Sequence, residues 1–460
     1  VNVALETLHT KLHSSLADIQ WVITGYLLAL AAVIPVSGWA ARRFGAKNVY
    51  IFSIVMFTLG SALCGVAAST TGLVIFRVLQ GVGGGMIMPV GQMILAGAAG
   101  PQRMGRVLAI TGMPMMLGPI IGPVLGGLII DSASWRWIFY VNVPIGVIAT
   151  YLGLRLLPAR PRDQVAPRLD VPGLIMMAAG LPLFIYGLAE YGLLGHFSTD
   201  KVLAPIVGGL VLIAAFVWHA LRTPQPLLDL RLYKRSSYAA ASAALFCVGA
   251  ALFGGLILLP LYFQNVRGES VLHTGLLLVP QGVGTALVMP FAGRMADRIG
   301  GGPLAVAGVI IAIVAGIPFG LIGGHTSYVW LSVVQAVRGV GIGLAFMPAF
   351  IAALATLTRD ELPDAAPQLN VLMRVGGSLG TAILAVVLQR SLTSAGHHPT
   401  AAAAAGAYGT AFWWSLAMIA AALVPCIILV RAEHNARRAR RASAALEIAD
   451  GGAPLVEALA

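Results

Sequence analysis

Runs of about 20 apolar residues, each bounded by charged or turn-forming clusters, recur along this 460-residue chain. Each is long enough for an α-helix to cross roughly 30 Å of hydrocarbon. They fall at about 19–39, 48–68, 71–96, 104–130, 136–157, 169–190, 202–221, 237–263, 272–293, 303–323, 327–350, 368–390 and 408–430, thirteen spans in all. The opening "VNVALETLHTKLH" drops from apolar residues into a polar loop, so residues 1–6 read as the end of one more helix, which makes fourteen. Only 10% of residues are charged and 58% are hydrophobic, with a mean hydropathy of +0.88. Soluble domains carry roughly 25% charged residues, so the expected class is an all-α polytopic membrane protein whose first partner is the lipid bilayer.

A net charge of +12 raises the question of nucleic acid, and the placement of the charge answers it. With alternate loops assigned to opposite sides, 21 of the 29 Lys and Arg fall in one set, five in the other and three inside spans. That bias is the positive-inside pattern, which places the loop carrying Arg42 and the C-terminus in the cytoplasm without any nucleic-acid partner. Residues 432–460, rich in Arg, read as a solvated, disordered tail beside anionic headgroups. Cys64, Cys247 and Cys426 lie inside apolar spans and read as packing residues, with no metal or disulfide spacing among them.

The chain also repeats itself. "RVLQGVGGGM" (77–86) and "QAVRGVGIGL" (335–344) align Gly81, Gly83 and Gly85 with Gly339, Gly341 and Gly343, 258 residues apart. The same spacing takes Gly118 and Gly122 to Gly376 and Gly380. The loops "GWAARRFGAK" (38–47) and "GRMADRIGGG" (293–302) align at 255, matching Gly38 to Gly293, Arg43 to Arg298 and Gly45 to Gly300. Equivalent segments keep the same orientation, which indicates two parallel six-helix halves related by an axis along the membrane normal. The domains expected are an N-terminal bundle (1–157), linkers with two inserted helices (158–235), a C-terminal bundle (236–431) and the tail (432–460).

Three arginines lie inside spans: Arg77, Arg338 and Arg374. An arginine at a helix centre costs about 2.5–3.5 kcal/mol on insertion scales, so it is kept where it meets a wet cavity or an acid. Arg77 sits about six residues from the end of its span, and snorkelling is the alternative. The seventeen Asp and Glu fall in loops, tails or helix ends, with Asp131 and Glu190 nearest to apolar surroundings. Tyr26, Gln80, Gln281, Gln335 and Asn370 add uncharged hydrogen-bonding groups. "GPIIGPVLGG" sets Gly118, Gly122 and Gly126 on one helix face, beside Gly127, at the spacing that lets helix backbones approach. Pro119 and Pro123 remove backbone donors from the same segment. In "GWAARRFGAK", Gly45 suits a tight turn, and Arg43 and Lys47 suit helix C-terminal carbonyls or acids across the halves.

With these motifs in hand, and "SWRWIFYVNVPIG" (134–146) beside them, the chain resembles the major facilitator superfamily and, within it, the fourteen-helix drug:proton antiporters of the EmrB/QacA type. The resemblance covers nearly the whole chain. It implies a proton-driven exporter of small amphipathic compounds, working by alternating access as a monomer in a bacterial inner membrane, with no cofactor beyond the proton gradient. It implies that Arg77 serves proton coupling beside helix 1, where the family carries an aspartate just before the segment matching "VNVAL". It further implies a central cavity that Tyr26, Gln80, Met113, Met116, Gln281, Gln335, Arg338, Asn370 and Arg374 would line, and a conformational latch at Gly38, Arg43, Gly45, Lys47, Gly293, Asp297 and Arg298. Where the family commonly has an aspartate in the first latch loop this chain has Arg42, and the second copy keeps Asp297, so the charge latch is expected in the second copy. No HExxH, GxSxG or Walker pattern occurs, which argues against an enzyme or an ATP-driven pump. An uptake carrier for a small anionic or neutral solute, or a membrane sensor, also remains compatible with the sequence.

Overall fold

The computed structural model describes residues 8, 11–12, 14–158, 168–195, 199–355, 357–358, 360–396 and 400–449. Residues 1–6 and most side chains between 100 and 132 lie outside that description. The described residues with regular structure are helical. In chain order the helices are α1 (Leu16–Val33), α2 (Ser37–Phe44), α3 (Ala46–Val66), α4 (Thr70–Ser132), α5 (Trp137–Tyr140), α6 (Asn142–Leu156), α7 (Val171–Leu194) and α8 (Asp200–Arg222). They continue as α9 (Ser236–Asn265), α10 (Val271–Ile299), α11 (Gly301–Gly320), α12 (Tyr328–Ala355), α13 (Leu362–Ser394), α14 (Ala401–Ala421) and α15 (Leu423–Ala449). Among the described residues, twelve helical stretches are long and apolar enough to cross a membrane.

The duplication read from the glycines is present in the packing. A Cβ on Gly81 would sit 2.6 Å from the Tyr26 carbonyl, and one on Gly339 would sit 2.0 Å from the Gln281 carbonyl. Likewise Gly83 backs onto Ser53 and Phe57 of α3, and Gly341 onto Gly308 and Ala312 of α11. Each partner pair is itself separated by the 255 residues that relate the two loops. The small residues are therefore explained by contact: they let α4 and α12 lie backbone to backbone against α1 and α3, and against α10 and α11, respectively. Gly45 (φ 86°) and Gly300 (φ 98°) each reverse the chain between consecutive helices through one positive-φ residue, a backbone state that a Cβ would strain.

The two halves pack through α4 and α10 and meet again at the end that carries the Arg-rich loops, called the basic end below. Here a Cβ on Gly38 would lie 1.9 Å from the Pro363 carbonyl at the start of α13. Arg42 forms an ion pair with Asp364 (Nη1 to Oδ2, 2.8 Å), and Asn370 donates to Gln92 Oε1 at 2.7 Å. The inserted helices are not peripheral. Leu30, Ala31 and Ile34 of the first half, Met177, Leu181 and Phe216 of the insertion and Val371 of the second half share one buried cluster. Towards the opposite end Trp21 stacks on Tyr186 with ring centroids 5.8 Å apart, while Gly192 approaches the Ala382 Cα. α7 thus fills the gap between α1 and α13.

Two expectations change. Spans 71–96 and 104–130 were expected as separate helices, yet helical structure is continuous through α4, 63 residues. Straight, such a helix would be about 95 Å long, so the two spans share the bilayer only if α4 bends, and Gly97, Gly100 and Pro101 supply the place. Helix hydrogen bonds are local and continue across a segment that hydropathy marks as a loop. The tail expected to be disordered from 432 is helical to Ala449 in α15, consistent with the high helix propensity of its Ala, Arg and Glu.

Candidate functional site

Arg77 enters the first half from α4 and is only 7% exposed. Its Nε donates to the Val22 carbonyl at 3.0 Å, its Nη1 donates to Gln80 Oε1 at 2.6 Å, and its guanidinium lies 3.9 Å from the Tyr26 ring centroid. No carboxylate among the described residues pairs with it. Helical spacing brings Gln80 one turn along the face of Arg77, while the ring face offers the cation a polarisable neighbour. Arg77 is therefore braced on the interior side of α1 rather than extended to an interface, which disposes of the snorkelling alternative. Tyr26 is within electrostatic reach of Arg374 on α13, which is half-buried. Tyr26, Arg77 and Gln80 thus form one cluster within the first half, and Tyr26 links it to Arg374 of the second.

The second repeat keeps the bracing bond but exchanges the residues. Gln335, equivalent to Arg77, donates from Nε2 to the Leu277 carbonyl at 3.0 Å, and Leu277 is the equivalent of Val22. Arg338, equivalent to Gln80, is 8% exposed and lies inside the second half among α9, α11, α12 and α14, away from the Tyr26 group. Gln281 is half-buried on α10 and packs its backbone on Gly339. Asn370 is engaged in the contact between halves at the basic end. Met113 and Met116 lie on α4, and their side chains fall outside the described residues.

At the latch loop, Lys47 donates to the carbonyls of Leu154 and Leu157 at 2.9 and 2.5 Å, closing the C-terminus of α6 as its cationic amine suits. Arg43 is exposed, and its neighbour Arg42 reaches across to Asp364. The residue that departed from the family pattern is thus the one that spans the halves. Gly293, Asp297 and Arg298 lie on the last turns of α10, and after Gly300 the first amides of α11 are held by Glu433, whose oxygens accept from Gly301 and Gly302 at 3.0 Å each. Among the described residues, a Cβ on Gly118, Gly122 or Gly126 of α4 would meet nothing within 4 Å. Pro119, Pro123 and Gly127 continue the same helix, with side-chain surroundings outside the described residues. Asp364 and Gln92 were missed in the sequence because their partners lie 322 and 278 positions away.

Two repeated helical bundles, in contact at the basic end and with an arginine and a tyrosine buried together inside the first, have the architecture of a membrane carrier. The profile of the Major Facilitator Superfamily matches residues 1–385, and the chain belongs to that superfamily. It is 42% identical over 392 residues to a "Multidrug resistance protein B homolog" of Mycobacterium tuberculosis, covering 84% of this chain and 72% of that protein. It is 29% identical to the lincomycin resistance protein LmrB of Listeria monocytogenes, over 84% of this chain and 82% of that one. Among solved structures, the proton:xylose symporter XylE shares the fold with a TM-score of 0.58 at 14% identity, covering 90% of each chain.

Proposed function

We propose that this chain exports small amphipathic compounds by alternating access, driven by proton entry, as a single chain in a bacterial inner membrane with its basic loops and C-terminus in the cytoplasm. The observation that carries the reading is Arg77, buried against Tyr26 within the first half and bonded to neutral acceptors. A buried cation so placed strongly favours the ionised form of any acid brought beside it. Binding or release of a proton on such an acid would then change the local charge at the contact between α1 and α4. Supporting export, relatives at 42% and 29% identity carry multidrug- and lincomycin-resistance names. With the basic end in the cytoplasm, the Arg42–Asp364 and Asn370–Gln92 contacts would join the halves on the cytoplasmic side. Arg374, half-buried and without a carboxylate partner among the described residues, favours anionic or neutral amphiphiles as substrates.

The test is proton movement from proteoliposomes under an imposed pH gradient on addition of candidate drugs, with Arg77→Ala alongside. Drug-triggered proton movement that Arg77→Ala abolishes supports antiport through this residue. Drug transport indifferent both to the gradient and to Arg77→Ala would remove the coupling mechanism.

A further inference from the structure

Arg338 is a buried guanidinium without a hydrogen-bond or ion-pair partner among the described residues. In the first repeat the arginine and glutamine one turn apart bond each other, Arg77 to Gln80. In the second repeat their order is reversed, and the pair is not made: Gln335 spends its amide on Leu277, and its Oε1 is buried without a partner. Arg338 is left against the Phe319 ring, 5.5 Å from the centroid. The sequence around it makes room for the cation. A Cβ on Gly255 of α9 would stand 2.8 Å from Arg338 Nη2 and 3.7 Å from Ser415 Oγ. Ser415 of α14 is 3% exposed, and its hydroxyl is also unpartnered. Arg338, Ser415, Phe319 and Gly316 line one small cavity, with space for about a single water molecule.

An unpaired guanidinium inside an apolar bundle leaves its charge uncompensated, and an unpartnered hydroxyl beside it adds a second unmet donor. We propose that Arg338 and Ser415 form a binding site for a monatomic anion, of the halide class, inside the second half. Guanidinium N–H groups and the Ser415 O–H would both donate to it, and Gly255 keeps its place open. The size of the cavity excludes phosphate, sulfate and organic carboxylates. A water would satisfy the donors but leave the charge uncompensated. Because the lining comes from α9, α11, α12 and α14, the ion ties these helices together within one half and does not depend on the transport cycle or on the proposed export reaction.

The experiment measures thermal unfolding of the full-length protein in detergent at fixed ionic strength, replacing sodium gluconate with chloride or bromide. Wild type, Ser415→Ala, Gly255→Ala and Arg338→Gln are compared, and a structure is solved in bromide using its anomalous scattering. The expected result is a saturable upward shift of Tm with either halide, reduced in Ser415→Ala and lost in Gly255→Ala and Arg338→Gln, with bromide beside Arg338. If Arg338→Gln does not fold, the two milder variants and the bromide position decide. A Tm identical in gluconate and halide, an equal halide shift in Gly255→Ala and Ser415→Ala, or water alone beside Arg338 in bromide would each overturn the site.

Discussion

Arg77 and Arg338 show how one side-chain exchange between repeats changes what a buried arginine requires. The first is braced by a carbonyl, an amide oxygen and a ring, whereas the second has lost the amide oxygen to a shift of one helical turn. A third charged group belongs to the end opposite the basic one. Glu269 accepts from the Tyr328 hydroxyl and from His273, beside Arg267, and these donors hold its carboxyl below the usual carboxylate range. A depressed folded-state value means that this contribution is complete above the unfolded value, about 4.3, and disappears as pH falls through the lower folded one. The expected outcome is a Tm that declines on acidification below about pH 5 more steeply in wild type than in Glu269→Gln. Equal acid slopes would show that the cluster adds nothing to the folded state.

At the scale of elements, the inserted hairpin is built to pack and not merely to connect. Asp170 caps α7 by accepting from the Gly173 amide at 3.0 Å, and its carboxylate also meets His219 at 2.7 Å and the Leu227 amide at 3.0 Å. One buried carboxylate thereby fixes the start of α7, the end of α8 and the linker that follows. Along the hairpin, Gly187 backs onto Ile206, where a Cβ would stand 2.8 Å from the backbone nitrogen, so α7 and α8 lie nearly in backbone contact. Gly187→Leu should therefore force the two helices apart at a cost of about 1–3 kcal/mol, read as a lowered Tm with α7 displaced from the cleft between α1 and α13. An unchanged Tm would mean that the hairpin is not part of the cooperative fold.

For the whole molecule, the halves pack along α4 and α10, and at the basic end they also meet through Gly38 against Pro363, Arg42 on Asp364 and Asn370 on Gln92. The Arg42–Asp364 pair is partly buried, with side chains 20% and 16% exposed. A pair of this kind contributes on the order of 1 kcal/mol, enough to change the balance between two conformations about fivefold. Arg42→Asp and Asp364→Arg should each slow transport several-fold, and the double charge swap should recover part of the loss. If the double variant is no better than the worse single one, the pair does not hold the halves together.

The sequence by itself determined the solvent, the helices and their repetition, because these follow from local run length, from hydropathy and from glycines at fixed spacing. Gly81 and Gly339, Gly83 and Gly341, and the turns at Gly45 and Gly300 were legible before any contact was known. It also marked Arg77, since a cation in an apolar run stands out whatever surrounds it. Only the tertiary structure decided that Arg42 reaches Asp364, that α7 lies between α1 and α13, and that Arg338 is enclosed within one half while Arg374 faces the other. The physical reason is range: helix formation and membrane insertion read neighbours a few residues apart, whereas an ion pair or an unfilled donor depends on groups that folding brings together from hundreds of positions away.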